Sequence, residues 1–215
     1  AQALLAIISA AFVIYHGPEG IIKIANRTSK LAKIFADNIK AGGYKILSDH
    51  FFDTVTIKTN EKTNSIYEAA LKESINLRKV DKDYLSVAFD EAKKLDDVNL
   101  LLKLFGISKI IKQDVKVELD NLPENLLRTS KYLTHPVFNK YHSETEMLRY
   151  LKKLEDCDIA LNRSMIALGS CTMKLNATAE LIPITWKEFS LPHPFVPTNQ
   201  MEGYKILFND LINDL

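Results

Sequence analysis

The sequence predicts an α+β fold in which helices pack on a mixed or antiparallel sheet, followed by a helical and irregular linking segment. Up to residue 106, segments with helical spacing of apolar residues alternate with short segments in which apolar and polar residues alternate. Further on, prolines exclude long regular elements between residues 162 and 198: Pro183, Pro192, Pro194 and Pro197. We therefore predict a small α+β domain over 1–106, a linker over 107–133 and a separate segment over 134–215.

The first elements are two helices divided by a turn. Residues 1–15 are apolar except for Gln2 and Ser9, and this run is shorter than the about 20 residues that span a bilayer. We expect a helix that is buried on all sides, rather than a membrane span or a secretory signal. Gly17–Pro18 ends this helix, and Pro18 suits the first turn of the next one. That helix continues to about Lys40 and stops at Ala41–Gly43.

The following elements alternate between strand and helix. Apolar and polar alternation predicts strands, and helical spacing predicts helices between them. The predicted order is strand Tyr44–Leu47, strand Thr54–Thr59, helix Ser65–Glu73, a hairpin of Ile75–Val80 and Tyr84–Phe89, and helix Leu95–Phe105 closed by Gly106.

Beyond residue 106 the sequence predicts a connecting segment, followed by further helices. Ile107–Arg128 is charged and contains Pro123, which indicates a connection between two units. Ser143 and Glu146 have the spacing of a capping box at the start of a helix. Thr198 is predicted to cap a last helix with five residues on one apolar side: Met201, Tyr204, Phe208, Leu211 and Leu215.

Composition excludes several classes of function. The 215 residues carry 28 Lys and Arg against 27 Asp and Glu, so a net charge of +1 gives no reason to expect nucleic acid or an anionic membrane as a partner. Cys157 and Cys171 have neither metal-site spacing nor a disulfide framework, which favours a reducing compartment. Both chain ends lie in apolar helical patterns, from which we expect a piece of a larger polypeptide.

The segment from Ser164 to Asn176 reads SMIALGSCTMKLN and contains the strongest candidate site. A glycine, hydroxyls, a thiol and an amine fall within six positions, and such groups in an irregular segment can bind a phosphate or a carboxylate. The candidate residues are Ser170, Cys171, Thr172 and Lys174. The alternative is a buried loop whose hydroxyls satisfy only its own backbone.

This segment resembles the S-M-I-P-L-G-S-C-T-M-K-L-N signature of glycine decarboxylases, the pyridoxal-phosphate (PLP) P-proteins of the glycine cleavage system. Ala167 stands where that family typically has proline, and Ile7 stands where it usually has a polar residue. Tyr15–Gly20 (YHGPEG) resembles the Y-H-G-P-x-G turn of the family. Thr134–Met147 resembles its T-H-P-V-F-N-x-Y-H-S-E-T-E-M run, and shorter matches follow at Pro183–Trp186 and His193–Phe195.

The resemblance implies a fold-type I PLP enzyme that releases CO2 from glycine and passes the aminomethyl group to the lipoyl arm of H-protein. Residues 1–106 would be the C-terminal small domain of the first half of that enzyme, and 134–215 the N-terminal segment of the second half. Its Schiff-base lysine follows a histidine, and no His–Lys pair occurs in this sequence. We therefore expect no catalytic residue here, no activity of the isolated chain, and only a site-lining role for the four candidates.

The resemblance also implies partners and a location. Besides glycine and lipoylated H-protein, the chain would assemble with the remaining parts of the same polypeptide or with a partner subunit, in a full enzyme that is a homo-oligomer. The location would be the bacterial cytoplasm or the mitochondrial matrix.

Two alternatives compete with this interpretation, and a metal site is a third possibility that the sequence does not support. The chain could be a non-catalytic structural or regulatory module of the same scaffold. It could be a small thiol enzyme that uses Cys171, which would need a neighbouring base such as His142 or His193. His135 and His142 are seven residues apart, but Pro136 breaks the helix that would align them, and no metal site is expected.

Overall fold

The computed structural model of the chain describes residues 3–112, 118–163 and 177–215. Its residues fall into two compact units, 1–151 and 152–215, which are described separately below. The division at residues 106 and 133 stays a prediction from the sequence.

The first helix, α1 (Ala3–Ala41), is broken at Gly17, whose φ of 62° and ψ of −178° are not helical. This confirms the predicted break before Pro18. The expected burial of residues 1–15 is wrong for this chain, because only Ile14 and Gly17 are buried among residues 3–27 of α1. Leu4 and Leu5 are 68% and 65% exposed, since no described element of this unit packs over them.

By length and composition, α1 is also the one helix of the described residues that could cross a membrane. Its most apolar 18-residue window has a mean hydropathy of 1.5. Core helices and signal sequences meet the same criterion, and only 6% of this window is buried. The second half of α1, by contrast, is a core helix. There Leu31, Phe35 and Ile39 lie four residues apart and are almost completely buried. The helix ends at Ala41, where Gly43 adopts the left-handed φ of 87°.

The sheet has four strands in the order β1-β2-β4-β3, and all neighbours are antiparallel. Of the two predicted arrangements, mixed or antiparallel, the structure has the antiparallel one. The strands are β1 (Lys45–Ile46), β2 (Thr54–Lys58), β3 (Arg78–Lys79) and β4 (Tyr84–Ala88). Val55 pairs with Val87 and Ile57 with Leu85, and all four side chains are buried. The alternating pattern therefore places one apolar face of the sheet against the helices.

Helices α2 (Thr63–Lys72) and α3 (Leu95–Leu104) complete the core with the second half of α1. Ile66 and Ala70 of α2 and Leu102 of α3 are buried. The Phe35 ring lies at the centre, with its centroid 5.5 Å from that of Phe89 and 5.7 Å from that of Phe105. Gly106 follows α3 with a φ of 78°, as its predicted role in closing the helix requires. The predicted helices and strands of this domain are thus confirmed, with shorter strands at β1 and β3.

The segment after α3 is fixed to the core by side-chain hydrogen bonds. Asn99 binds both backbone groups of Ile111: its Oδ1 accepts from the amide N–H at 2.9 Å, and its Nδ2 donates to the carbonyl at 3.2 Å. Asn121 is 3% exposed, and its Nδ2 donates to Ser29 Oγ at 2.9 Å and to the Phe51 carbonyl at 2.7 Å. The predicted linker is therefore held against α3 at Ile111, and against α1 and the loop before β2 at Asn121.

Charge reinforces this attachment at Lys33. Its Nζ lies 2.6 Å from Asp37 Oδ1 and 3.1 Å from Asp120 Oδ1. Burial alone would lower the pKa of Lys33, but the hydrogen bonds to both carboxylates outweigh it and raise that pKa. The same hydrogen bond lowers the pKa of Asp120 below its usual range. Because the Asp120 side chain is 68% exposed, solvent screening keeps the contribution of this pair to stability small.

The remaining helices are α4 (Glu144–Glu155), α5 (Thr178–Leu181), α6 (Lys187–Ser190) and α7 (Glu202–Asp214). Ser143 caps α4 as predicted, since its Oγ accepts from the Glu146 amide N–H at 3.3 Å. The predicted cap at Thr198 is wrong: Thr198–Gln200 forms a separate 3-10 turn, and Met201 is the residue before α7. Pro197 precedes this turn, and its fixed φ starts a new turn rather than the helix itself.

Candidate functional site

The predicted site residues Ser170, Cys171, Thr172 and Lys174 lie outside the residues that the structure describes. Their site-lining role stays a prediction. The structure does describe the two other motifs of the resemblance, at Tyr15–Gly20 and at Thr134–Met147, and it brings them into direct contact.

Gly17 lies at the centre of this contact. A φ of 62° with an extended ψ is a conformation that essentially only glycine adopts at low cost. A Cβ atom at this position would also lie 2.6 Å from His142 Cε1 and 2.8 Å from the Phe138 carbonyl oxygen. Both distances are shorter than any normal carbon contact. Two independent constraints, backbone conformation and space, thus require glycine here.

His142 binds the other side of the same turn. Its Nδ1 lies 2.8 Å from the carbonyl oxygen of Tyr15. A carbonyl oxygen can only accept a hydrogen bond, so Nδ1 carries the proton and donates. In the neutral imidazole this leaves Nε2 as the acceptor. The bond therefore fixes both the ring orientation and the tautomer of an exposed histidine.

Two further groups hold the segment before His142. The Tyr132 hydroxyl donates to the Pro18 carbonyl at 2.9 Å, so the turn at Gly17 is bonded on both of its sides. His135 Nδ1 accepts from the Val137 amide N–H at 3.2 Å and caps the 3-10 turn Pro136–Asn139. This contact orients Phe138, whose carbonyl faces Gly17. We call the contact between Tyr15–Pro18 and Tyr132–His142 the motif junction.

His16 directly precedes Gly17 and makes local ring contacts. Its ring packs against that of Phe12, tilted by 56° with centroids 4.3 Å apart, and edge-on against that of Tyr15, at 5.3 Å. His142 makes the cross-motif hydrogen bond. Sequence reasoning missed this role because a contact between residues 127 positions apart leaves no periodic signal.

Metal and thiol chemistry gain no support from the described residues. Within ranges 3–112, 118–163 and 177–215, no three His, Cys, Asp or Glu side chains are grouped as metal ligands would be. Cys157 is exposed, and its thiol donates to the Lys153 carbonyl at 3.2 Å, one helical turn earlier. Cys171, the thiol of the alternative enzyme hypothesis, belongs to the segment outside the described residues.

Fold and junction together define the class of this chain: an α+β domain of the kind that PLP-dependent enzymes contain, with a helix kink bonded to a downstream motif. The family model of the glycine cleavage system P-protein matches residues 1–105. A glycine dehydrogenase (decarboxylating) of Pelagibacter ubique is 65% identical over 213 residues, which are 99% of this chain and 22% of that protein.

Similar relatives occur in other bacteria. The glycine dehydrogenases (decarboxylating) of Photobacterium profundum and Vibrio cholerae are 50% and 49% identical, each over 98% of this chain and 22% of their own length. Almost the whole chain is thus similar to these proteins, and residues 1–105 match the model of the glycine cleavage system P-protein family. It spans 22% of the length of the curated relatives that it matches.

Proposed function

We propose that this chain is part of a glycine dehydrogenase (decarboxylating). The complete enzyme would bind glycine, release its carboxylate as CO2 and pass the remaining aminomethyl group to the lipoyl arm of H-protein. The 65% identity to the Pelagibacter ubique protein over 99% of this chain supports the activity of the whole. The motif junction supports a positioning role for the part described here, because it joins two segments that the family resemblance singles out.

PLP would supply the electron sink that decarboxylation of an amino acid requires. The described residues do not fit the covalent attachment of PLP, since no lysine follows a histidine anywhere in the 215 residues. We therefore assign no step of the cofactor chemistry to them. Their role is to position the chain: the His142–Tyr15 hydrogen bond and the Gly17 contact fix the segment Tyr132–His142, which directly precedes Ser143 and α4.

The signature residues would line the site that this scaffold positions. Ser170 and Thr172 offer hydroxyl donors, and Lys174 offers a positive charge beside a bound phosphate or carboxylate. Glycine, lipoylated H-protein and the remaining part of the enzyme are the partners we propose, in a homo-oligomer located in the bacterial cytoplasm or the mitochondrial matrix.

Borohydride trapping tests where the cofactor attaches. The 215-residue chain is compared with a chimera in which it replaces the matching segment of the Pelagibacter ubique enzyme. After incubation with PLP and reduction, we expect a stable adduct in the chimera on a lysine outside these residues, and none on a single lysine of the isolated chain. An adduct that maps to Lys174, or to any single lysine of this chain, contradicts the proposal.

A further inference from the structure

A recess of about 300 Å3 lies between α1 and the start of α3, and no residue of the two motifs lines it. Four basic side chains line it, from three separate parts of the chain: Arg27 and Lys30 of α1, Lys94 directly before α3, and Lys112 after it. Asp96 is the acidic residue of the lining. The chain as a whole carries a net charge of only +1, so this is a local concentration of positive charge.

The lysines of the recess form no ion pair among the residues that the structure describes. Elsewhere in this unit, Lys33, Lys40 and Lys93 each lie within 4 Å of a carboxylate. Lys30, Lys94 and Lys112 form no ion pair with any described residue, and neither does Asp96. Like charges gathered around one recess repel each other, and a bound anion removes that repulsion.

Arg27 is already oriented for binding. Its Nη1 donates to the Glu91 carbonyl at 2.7 Å and its Nη2 to the Lys93 carbonyl at 2.8 Å. The guanidinium plane is thus held between α1 and the loop before α3, and less conformational entropy is lost when it binds a ligand. Its remaining N–H groups keep the planar donor geometry that suits the oxygens of a phosphate.

The base of the recess strengthens any such contact. Leu31, Ile34 and Leu95 form its apolar part, and charges that interact beside apolar groups are screened less than charges in open water. A volume of about 300 Å3 accommodates one or two phosphoryl groups and excludes a folded protein surface.

We propose that this recess binds a small anion that carries a phosphoryl group, either inorganic phosphate or a phosphate monoester, through Arg27, Lys30, Lys94 and Lys112. This proposal goes beyond glycine decarboxylation and uses no residue of the signature segment. Lys30 and Lys112 contribute the charges that no protein carboxylate among the described residues offsets.

Titration calorimetry on the full 215-residue chain tests this site, with sodium chloride added to keep the ionic strength constant. The probes are inorganic phosphate, glycerol phosphate and succinate. We expect phosphate or glycerol phosphate to bind at one site and succinate to bind at least tenfold more weakly. Preference for inorganic phosphate identifies the free ion as the ligand, and preference for glycerol phosphate identifies an ester. A dissociation constant for succinate that equals the constant for phosphate contradicts recognition of a phosphoryl group.

Three charge-neutral variants locate the binding. Lys30→Met and Lys112→Met should each raise the dissociation constant by about tenfold or more, the usual effect of one lost charge-assisted hydrogen bond. Lys82→Met removes the same charge from the exposed β3–β4 turn and should leave the constant unchanged. Circular dichroism checks that the variants fold, and Lys112, which is exposed, gives a result even if Lys30→Met does not fold. An equal loss in Lys82→Met, or no loss in Lys112→Met, overturns the proposal.

Discussion

At the scale of a single residue, Gly17 shows why its motif requires a glycine. Its left-handed φ and its distance to His142 and Phe138 each exclude a side chain. The sequence predicted the helix break from Gly17–Pro18, because both residue types are common where a helix is interrupted. It could not predict that a histidine far along the chain packs against the same glycine.

We expect Gly17→Ala to destabilise the unit 1–151 strongly. An alanine at φ 62° and ψ −178° costs about 1–3 kcal/mol, and the overpacked contact with His142 and Phe138 adds about 1–3 kcal/mol. Urea unfolding followed by circular dichroism measures the change.

Gly43→Ala is the matched control. Gly43 also has a positive φ, of 87°, but a Cβ atom there would meet nothing within 4 Å. Its loss of stability should therefore reflect the conformational cost alone. If both alanine variants lose the same amount, the contact between Gly17 and His142 does not exist as described.

The signature residues permit a test of the predicted site. In the chimera with the Pelagibacter ubique enzyme, Thr172→Val removes a hydroxyl and keeps the side-chain shape, and Lys174→Met removes a charge. Each should lower glycine–bicarbonate exchange ten- to a hundredfold at limiting glycine or PLP, since a charge-assisted hydrogen bond contributes about 1.5–3 kcal/mol.

Lys187→Met serves as the comparison for these two variants, because Lys187 lies exposed at the start of α6. It should retain full exchange. Full exchange in both signature variants as well would mean that the segment is structural and that the predicted site is wrong.

At the scale of elements, periodicity predicted most of the first domain. Helices α2 and α3 and strands β2 and β4 lie within one or two residues of their predicted bounds, because a half-buried element imposes its period on the sequence. Burial of a whole helix was not predictable in the same way. The apolar run 1–15 forms the expected helix, but its burial depends on neighbours that the run itself does not encode.

The connection after α3 illustrates a second limit of sequence reasoning. Charge and Pro123 indicated a linker, and the described residues 118–121 are nonetheless bonded to the core by the buried side chain of Asn121 and by the Asp120–Lys33 ion pair. Two hydrogen bonds offset the cost of burying this asparagine, but the sequence does not distinguish it from a solvated asparagine.

Asn121→Ala should lower the free energy of unfolding by about 1–3 kcal/mol, because it leaves the Phe51 carbonyl and the Ser29 hydroxyl without the Nδ2 donor. Urea unfolding measures the change. Asn125 is exposed and four residues further on, and Asn125→Ala should change the free energy by less than about 0.5 kcal/mol. Equal effects of the two substitutions would show that residues 118–121 are not anchored as described.

At the scale of the whole molecule, two observations fit the proposal that the chain is part of a larger enzyme: its exposed apolar residues and the short share of its relatives that it covers. The first half of α1 and the side of α7 with Phe208 and Leu211 expose large apolar side chains, whereas such patches are normally covered in a complete protein. The chain spans 22% of its relatives, and the remaining part of a glycine dehydrogenase would cover these helices under the function we propose. The motifs in the sequence predicted the similarity to glycine cleavage system P-proteins without any knowledge of the contacts.

The central claim is that these 215 residues serve a working glycine dehydrogenase, and exchange activity tests it most directly. The chimera with the Pelagibacter ubique enzyme is assayed for H-protein-dependent exchange of labelled bicarbonate into glycine, beside the unaltered parent. With 65% identity across the replaced segment, we predict exchange within about tenfold of the parent, a change of about 1.4 kcal/mol or less in transition-state stabilisation. A chimera that folds and retains PLP but exchanges no bicarbonate would contradict the account and favour a non-catalytic module of the same scaffold.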